Sequence, residues 1–248
     1  MHFTALDPVM GDSGAFYVPR SEAPVYQSLL PHCHLLLPNQ FELETLANTK
    51  IFDITSLVDA VGVLHREYKV PHVFVTSTQV KEDKNENELQ GPSHLTLIGS
   101  TAKADGTPRA FIIDAPYFPV YFSGTGDTFA ALITARLREE AFRADLLNVN
   151  GWVSPDSVPN LDLPLAKAAE LVVASMQALL SRTYQRYDKI RATEKENNTE
   201  EAHEKESHLK LTKAAELKVV GHVNDLTNPP NVDHYRVRSI DLTNLKYN

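Results

Sequence analysis

Gly124-Thr125-Gly126-Asp127 decides the reading of this chain. It stands between an aromatic run that reads as β-like, Tyr117 to Phe122, and a clean helical stretch, Thr128 to Leu137. Two glycines and a threonine ahead of a helix start leave several backbone N–H groups pointing outward without an internal partner. Those amides, together with the positive end of the helix dipole, make a seat for a phosphoryl group. Asp127, in the first turn of the helix, is placed to take a proton from a hydroxyl attacking that phosphorus. The stretch points to a kinase acting on an alcohol. The competing reading is a glycine turn with Asp127 as an ordinary helix cap.

Outward from this stretch, strands alternate with helices. Phe3 to Leu6 reads as the end of a strand, followed at once by the acidic loop Asp7 to Asp12, so something looks to be missing before it. Pro24 to Leu30 is a short helical stretch, and Cys33 to Leu37 is an apolar strand closed by Pro38. Phe41 to Ala47 starts a helix with Asn39 available as its cap. Asp53-Ile54-Thr55-Ser56 caps another, whose Leu57, Val58, Val61 and Leu64 recur at helical spacing. Val73-Phe74-Val75 is a buried-type strand ending in Thr76-Ser77-Thr78, and Lys81 to Gln90 is a solvated loop. Leu95 to Gly99 and Ala110 to Ile113 flank the turn Ala104 to Pro108 and read as an antiparallel hairpin. Asn148 to Pro164 is a Pro/Asn-rich loop, and Leu165 to Tyr187 is a long amphipathic helix. Asp188 to Lys213 is a solvated helix extension or a disordered insertion. Glu216 to Val220 alternates like a strand, and Val237 to Leu242 adds a closing segment. The alternation predicts a single α/β domain over residues 1–248, with a largely parallel sheet between helices on both faces.

The 248 residues are 42% hydrophobic and 23% charged, enough to bury one sizeable core. A net charge of −8, without a basic stripe, argues against a nucleic-acid partner. One cysteine, Cys33, leaves neither a disulfide framework nor a C-x-x-C site. His32-Cys33-His34 looks like a metal tripeptide, but strand neighbours face opposite ways and no second Cys/His pair follows at zinc spacing. No stretch approaches the roughly 20 apolar residues of a membrane span, and Met1 to Leu6 lacks the regions of a signal peptide. The expected location is the cytoplasm, with the nucleus as a further compartment.

Four loops follow strand ends: Asp7 to Asp12, Pro38 to Glu42, Thr76 to Thr78 and Gly124 to Asp127. In a parallel α/β sheet such ends gather at one edge, where ligands bind. Acids and hydroxyls offer oxygen ligands to Mg²⁺, and the glycine cradle offers N–H donors to phosphate. The sequence contains no G-x-x-x-x-G-K-[ST] motif, so the P-loop class is excluded.

Taken together, Asp7-Pro8-Val9-Met10-Gly11-Asp12, Tyr17-Val18-Pro19, Pro38-Asn39-Gln40-Phe41-Glu42, Val75-Thr76-Ser77 and Ser123 to Ala131 resemble the pyridoxal kinases, the vitamin B6 kinases of the ribokinase-like superfamily. The resemblance covers residues 1 to 187 and resumes at Glu216 to Asp225. Hydroxymethylpyrimidine phosphate kinases carry a similar first motif but usually have cysteine where this chain has Asp127. The resemblance implies a three-layer α/β/α ribokinase-like fold, N-terminally truncated, and ATP-dependent phosphorylation of the 5′-hydroxymethyl group of pyridoxal, pyridoxine or pyridoxamine. Asp127 becomes the base, and the amides of Gly124, Thr125 and Gly126 the anion hole. Asp7, Tyr17, Asn39, Thr76, Ser77 and Thr125 fall around ATP, with Phe118, Pro119 and Val120 beside the adenine. Asp12, Glu42, Thr76 and Gly124 fall around the metal, a divalent cation such as Mg²⁺ with a monovalent cation such as K⁺. A homodimer is implied for the full-length protein.

Two departures stand out. Leu37 occupies the place before the P-N-Q-F-E motif where the family usually has threonine, and an apolar side chain cannot coordinate an ion. The family's N-terminal strands and loops, which hold the vitamer ring, have no matching text. Two alternatives therefore stay open: a catalytically impaired nucleotide-binding fragment, and a hydroxymethylpyrimidine-type kinase.

Overall fold

The computed structural model describes residues 2–78, 80, 94–197 and 201–240. In chain order the strands are β1 (Ala5–Leu6), β2 (Gly11–Asp12), β3 (Ala15–Phe16), β4 (Leu35–Leu36), β5 (His72–Thr78), β6 (His94–Ala102), β7 (Pro108–Pro116) and β8 (Arg238–Ser239). The helices are α1 (Ala23–Leu29), α2 (Gln40–Ala47), α3 (Ile54–Glu67), α4 (Thr125–Arg143), α5 (Pro164–Asn197), α6 (Glu201–Ala214) and α7 (Val223–Thr227). Six strands form one sheet in the order β1-β4-β5-β6-β7-β8, and β2 pairs with β3 apart from it. β1, β4 and β5 pair in parallel, with Leu6 opposite Leu36 and Leu36 opposite Val73. The hairpin β6–β7 and the closing strand β8 extend the sheet antiparallel. Parallel pairing is thus confined to the side that carries the loops after β1, β4 and β5.

The period-2 alternation of side chains divides the sheet into two faces. Leu35, Phe74, Phe111 and Ile113 pack on one face with Ile133 and Leu137 of α4 and Ala169 and Val172 of α5. Leu36, Val73, Val75 and Ile112 pack on the other with Leu43 and Leu46 of α2 and Leu57, Val61 and Leu64 of α3. Each fully buried Leu or Phe contributes about 1.5–3 kcal/mol, so the two interfaces fix the three-layer α/β/α arrangement. Capping boxes start α2 and α3: Asn39 with Glu42, and Asp53 with Ser56.

Several local expectations are corrected. Tyr117 to Phe122 is irregular and not a strand, because Pro116 ends β7 and Pro119 interrupts the run. The following helix begins at Thr125, three residues earlier than its apolar pattern, because Gly124 turns the chain, and it runs on to Arg143. Glu216 to Val220 makes a single bridge at Glu216 and then enters a 3-10 turn at Val220–His222. The described part of 188–213 lies in the end of α5 and in α6. The segment Lys81 to Gln90 lies outside the described residues. Cys33 is buried, its thiol donates to the Leu35 carbonyl, and burial pushes its pKa up to about 12. That thiol is part of the buried core. No helix among the described residues is long and apolar enough to cross a membrane.

Candidate active site

The strand directions bring the expected loops to one edge. Asp7 leaves β1, Pro38 and Asn39 follow β4, Thr76 to Thr78 close β5, and β7 exits on the same side toward Gly124. The Thr76 N–H donates to the Pro38 carbonyl at 3.0 Å, tying two of these loops together.

Gly124 sets the geometry of the glycine segment. It is the N-cap of α4 at φ 88° and ψ 12°, a left-handed conformation that suits glycine. No side chain caps this helix. The Thr128 N–H and hydroxyl both donate to the Gly124 carbonyl, at 3.2 Å and 2.6 Å. The amides of Thr125, Gly126 and Asp127 precede the first intrahelical bond and stay available to a ligand. A Cβ on Gly124 would meet nothing within 4 Å, so the space before the helix end is open. The loop itself is held from the far end of the chain. The Ser123 N–H donates to the Ala215 carbonyl at 3.3 Å, the Leu217 N–H donates back to Ser123 at 3.4 Å, and Ser123 pairs with Glu216 in parallel.

Asp7 is the carboxylate that meets this helix end. Its Oδ2 lies 3.5 Å from where a Cβ on Gly126 would sit. Burial and then the negative charge of Asp127 raise the Asp7 pKa. Asp127 itself is exposed. Neither acid makes an ion pair among the described residues. Such a pair of acids, beside free amides, suits a cation-bound phosphate ester.

Glu42, Asn39 and Gly11 form a second unit. Glu42 is 4% exposed, and its two carboxylate oxygens accept the N–H groups of Met10 at 2.9 Å and Asn39 at 3.0 Å. Burial outweighs these bonds and pushes its pKa up to about 7. Asn39 accepts from the Glu42 N–H at 2.9 Å and donates its amide to the Gly11 carbonyl at 2.7 Å. A Cβ on Gly11 would run into the Ala15 carbonyl and the Phe41 ring, so α2 and the β2–β3 hairpin close tightly there. Asp12 is exposed on that hairpin and accepts the Ser13 N–H at 2.7 Å.

The other expected residues fall as follows. Tyr17 is 66% exposed, and its N–H donates to Met10. Phe118 packs at 5.3 Å on Tyr184 and edge-on at 6.1 Å to Phe122, while Pro119 is exposed. Thr76 and Ser77 are half-buried at the end of β5. Leu37 is buried, so no side-chain oxygen stands at its position. Among the described residues, no three His, Cys, Asp or Glu side chains converge as a metal cluster. A divalent ion here would take Asp carboxylates, with phosphate oxygens and water completing its shell. Sequence reasoning missed the β2–β3 hairpin, whose signal was Ser13-Gly14, both at positive φ. It also missed the Ser123–Glu216 closure, for which the sequence carries no local signal.

Residues 1–144 match a family model described as phosphomethylpyrimidine kinase. A pyridoxal kinase of Arabidopsis thaliana is 36% identical over 185 residues, covering 73% of this chain and 48% of its own length. A Schizosaccharomyces pombe protein that carries the same name provisionally is 32% identical over 188 residues, covering 74% of this chain and 53% of its own. The chain thus spans about half the length of the curated relatives it matches. A solved pyridoxal kinase from Leishmania donovani, in complex with ADP and pyridoxamine, superposes with a TM-score of 0.66 at 23% identity. That superposition covers 96% of this chain and 62% of the other, and it shows the ribokinase-like fold.

Proposed function

The chain belongs to the phosphomethylpyrimidine kinase family, and from that premise we propose that its site transfers the γ-phosphoryl of ATP to the 5′-hydroxymethyl group of a B6 vitamer. The observation that carries the reading is the uncapped N-terminus of α4, with Asp7 against Gly126 and Asp127 in the first turn. The amides of Gly124, Thr125 and Gly126 hold the transferred phosphoryl and stabilise charge that grows on it in the transition state. Asp127 accepts the proton of the attacking hydroxyl. Asp7 orients the phosphates from the β1 side, and Thr125 joins it through its hydroxyl. Asn39, Thr76, Ser77 and Tyr17 line the nucleotide, and Phe118 to Val120 form the shelf for its base. Mg²⁺, when bound, neutralises phosphate charge; Asp7, Asp12, Thr76 and the Gly124 region would hold it, while Glu42, whose two oxygens accept backbone amides, shapes the loop beside it.

Asp127→Ala is expected to lower kcat by about 10²–10⁴-fold, with the affinity for a non-hydrolysable ATP analogue little changed. The test is formation of pyridoxal 5′-phosphate from pyridoxal and ATP-Mg²⁺; turnover retained in the variant refutes the role of the base. A hydroxymethylpyrimidine acceptor is the second reading, favoured by the family model. A panel of the three vitamers and 4-amino-5-hydroxymethyl-2-methylpyrimidine decides between the two. A monovalent cation beside the phosphates, a homodimer, and a cytoplasmic or nuclear location belong to the same proposal. Activity with and without K⁺ and light scattering test the first two.

A further inference from the structure

Late in α5 and late in α6, two helix faces meet around a cleft of about 500 Å³. Arg186 and Lys189 of α5 face Lys210 and Lys213 of α6, and Lys218 closes the end. Glu194 is the one carboxylate in the lining. Five of the 24 Lys and Arg residues of a chain with net charge −8 therefore share one concavity. Lys210 is paired with Glu194 and Glu206, each at 3.2 Å. Lys189, Lys213 and Lys218 make no ion pair among the described residues. Arg186 spends one terminal nitrogen on the carbonyls of Ala214 at 2.5 Å and Glu216 at 2.9 Å, while its Nε is buried without a partner.

Two packed helices ordinarily bury an apolar seam and send their charges outward. Here Arg186 and Lys189 of α5 share a cleft with Lys213 of α6 and Lys218, walled largely by aliphatic stems, and Glu194 pairs with Lys210 across it. That arrangement repels itself when empty and focuses positive potential into the concavity. We propose that this cleft is a binding site for a small polyphosphate anion, separate from the phosphoryl seat on α4. The cations suit phosphate, the lysines supplying compact charge and Arg186 a guanidinium held in place by two backbone carbonyls. The volume falls in the range of small-molecule pockets. The net negative charge of the chain opposes a nucleic acid. Arg186 holds the Glu216 carbonyl, and Glu216 pairs with Ser123, so one lining residue is tied through Glu216 to the glycine loop. The inference does not depend on the kinase reading, since it rests on the α5–α6 side chains alone.

Calorimetric titration of the full chain with inorganic triphosphate, without divalent cation, tests the site. Binding is expected to persist in Gly124→Val, which obstructs the helix-end seat. It is expected to weaken by about tenfold or more in Lys189→Gln/Lys213→Gln, which removes two charge-assisted contacts. Glu194→Gln, which removes the lone carboxylate and frees Lys210, is expected to tighten binding, and this second variant keeps the test open should the double variant fold poorly. Triphosphate should also raise the melting temperature of the wild type more than that of the double variant. Unchanged affinity in a folded double variant, loss of binding in Gly124→Val alone, or tighter binding of single-stranded RNA than of triphosphate each overturns the proposal.

Discussion

Asn39→Ala probes both the fold and the site through two bonds. The first is the cap: the Asn39 Oδ1 accepts the Glu42 N–H at 2.9 Å, and losing such a cap costs about 1 kcal/mol. The second is the donation from Nδ2 to the Gly11 carbonyl at 2.7 Å, worth about 1 kcal/mol. Gly11 is buried and closely packed, so its carbonyl has no water to fall back on. Together the loss is about 2 kcal/mol, which for a chain of this size lowers Tm by about 4–8 °C. Asn39→Ser keeps an acceptor for the cap and removes only the tie to Gly11, so about half the loss is expected. Thermal unfolding followed by far-UV circular dichroism, at one pH and without nucleotide, measures both. An Asn39→Ala variant within about 1 °C of wild type refutes the reasoning. Equal losses in the two variants refute the share assigned to the cap.

Two further outcomes follow from the same region. Glu42 titrates near pH 7 when folded, against an ordinary value of 4.5. Between those values the folded chain holds a proton that the unfolded chain has released, so stability falls as pH rises through the window, by at most about 3 kcal/mol. Glu42→Gln should flatten that slope in denaturant titrations between pH 4.5 and 7.5, and an unchanged slope refutes the assignment. Gly124→Ala must adopt φ 88° with no steric clash around the new methyl, so it should cost about 1–2 kcal/mol of strain. Nucleotide affinity, measured by thermal shift with ATP, should fall as well, and a variant as stable as wild type contradicts the geometry.

What was legible in the sequence was local. Asn39 and Asp53 announce their helices because a cap acts over three residues. The hairpin β6–β7 is marked by its turn, and Gly124 by its place before a helix. The aromatic run Tyr117 to Phe122 misled because aromatic residues are common in strands, whereas here Phe118 and Phe122 pack against each other and Tyr121 is 87% exposed. Glu216 to Val220 misled by alternation alone, since its one bridge depends on a partner far away in the chain. At the site, the motifs announced the residues but not their division of labour. Glu42 reads as a cation ligand by resemblance, yet both its oxygens hold backbone amides. Asp7 reads as one acid among several, yet it is the one against Gly126. The cationic cleft was invisible because it exists only once α6 lies against α5.

The pairing of Ser123 with Glu216 has a consequence for how the molecule is made. The glycine loop is closed by residues roughly ninety positions downstream, a long-range contact of the kind that forms late and carries a loop-closure cost. On the ribosome, the α2 cap, the hairpin and the first turn of α4 are all complete before Ala215 to Leu217 have been synthesised. A nascent chain therefore owns every amide of the phosphate seat before it can hold that seat still. Competence to retain a nucleotide should appear as a step, when the segment around Glu216 leaves the exit tunnel, and not gradually as the domain grows.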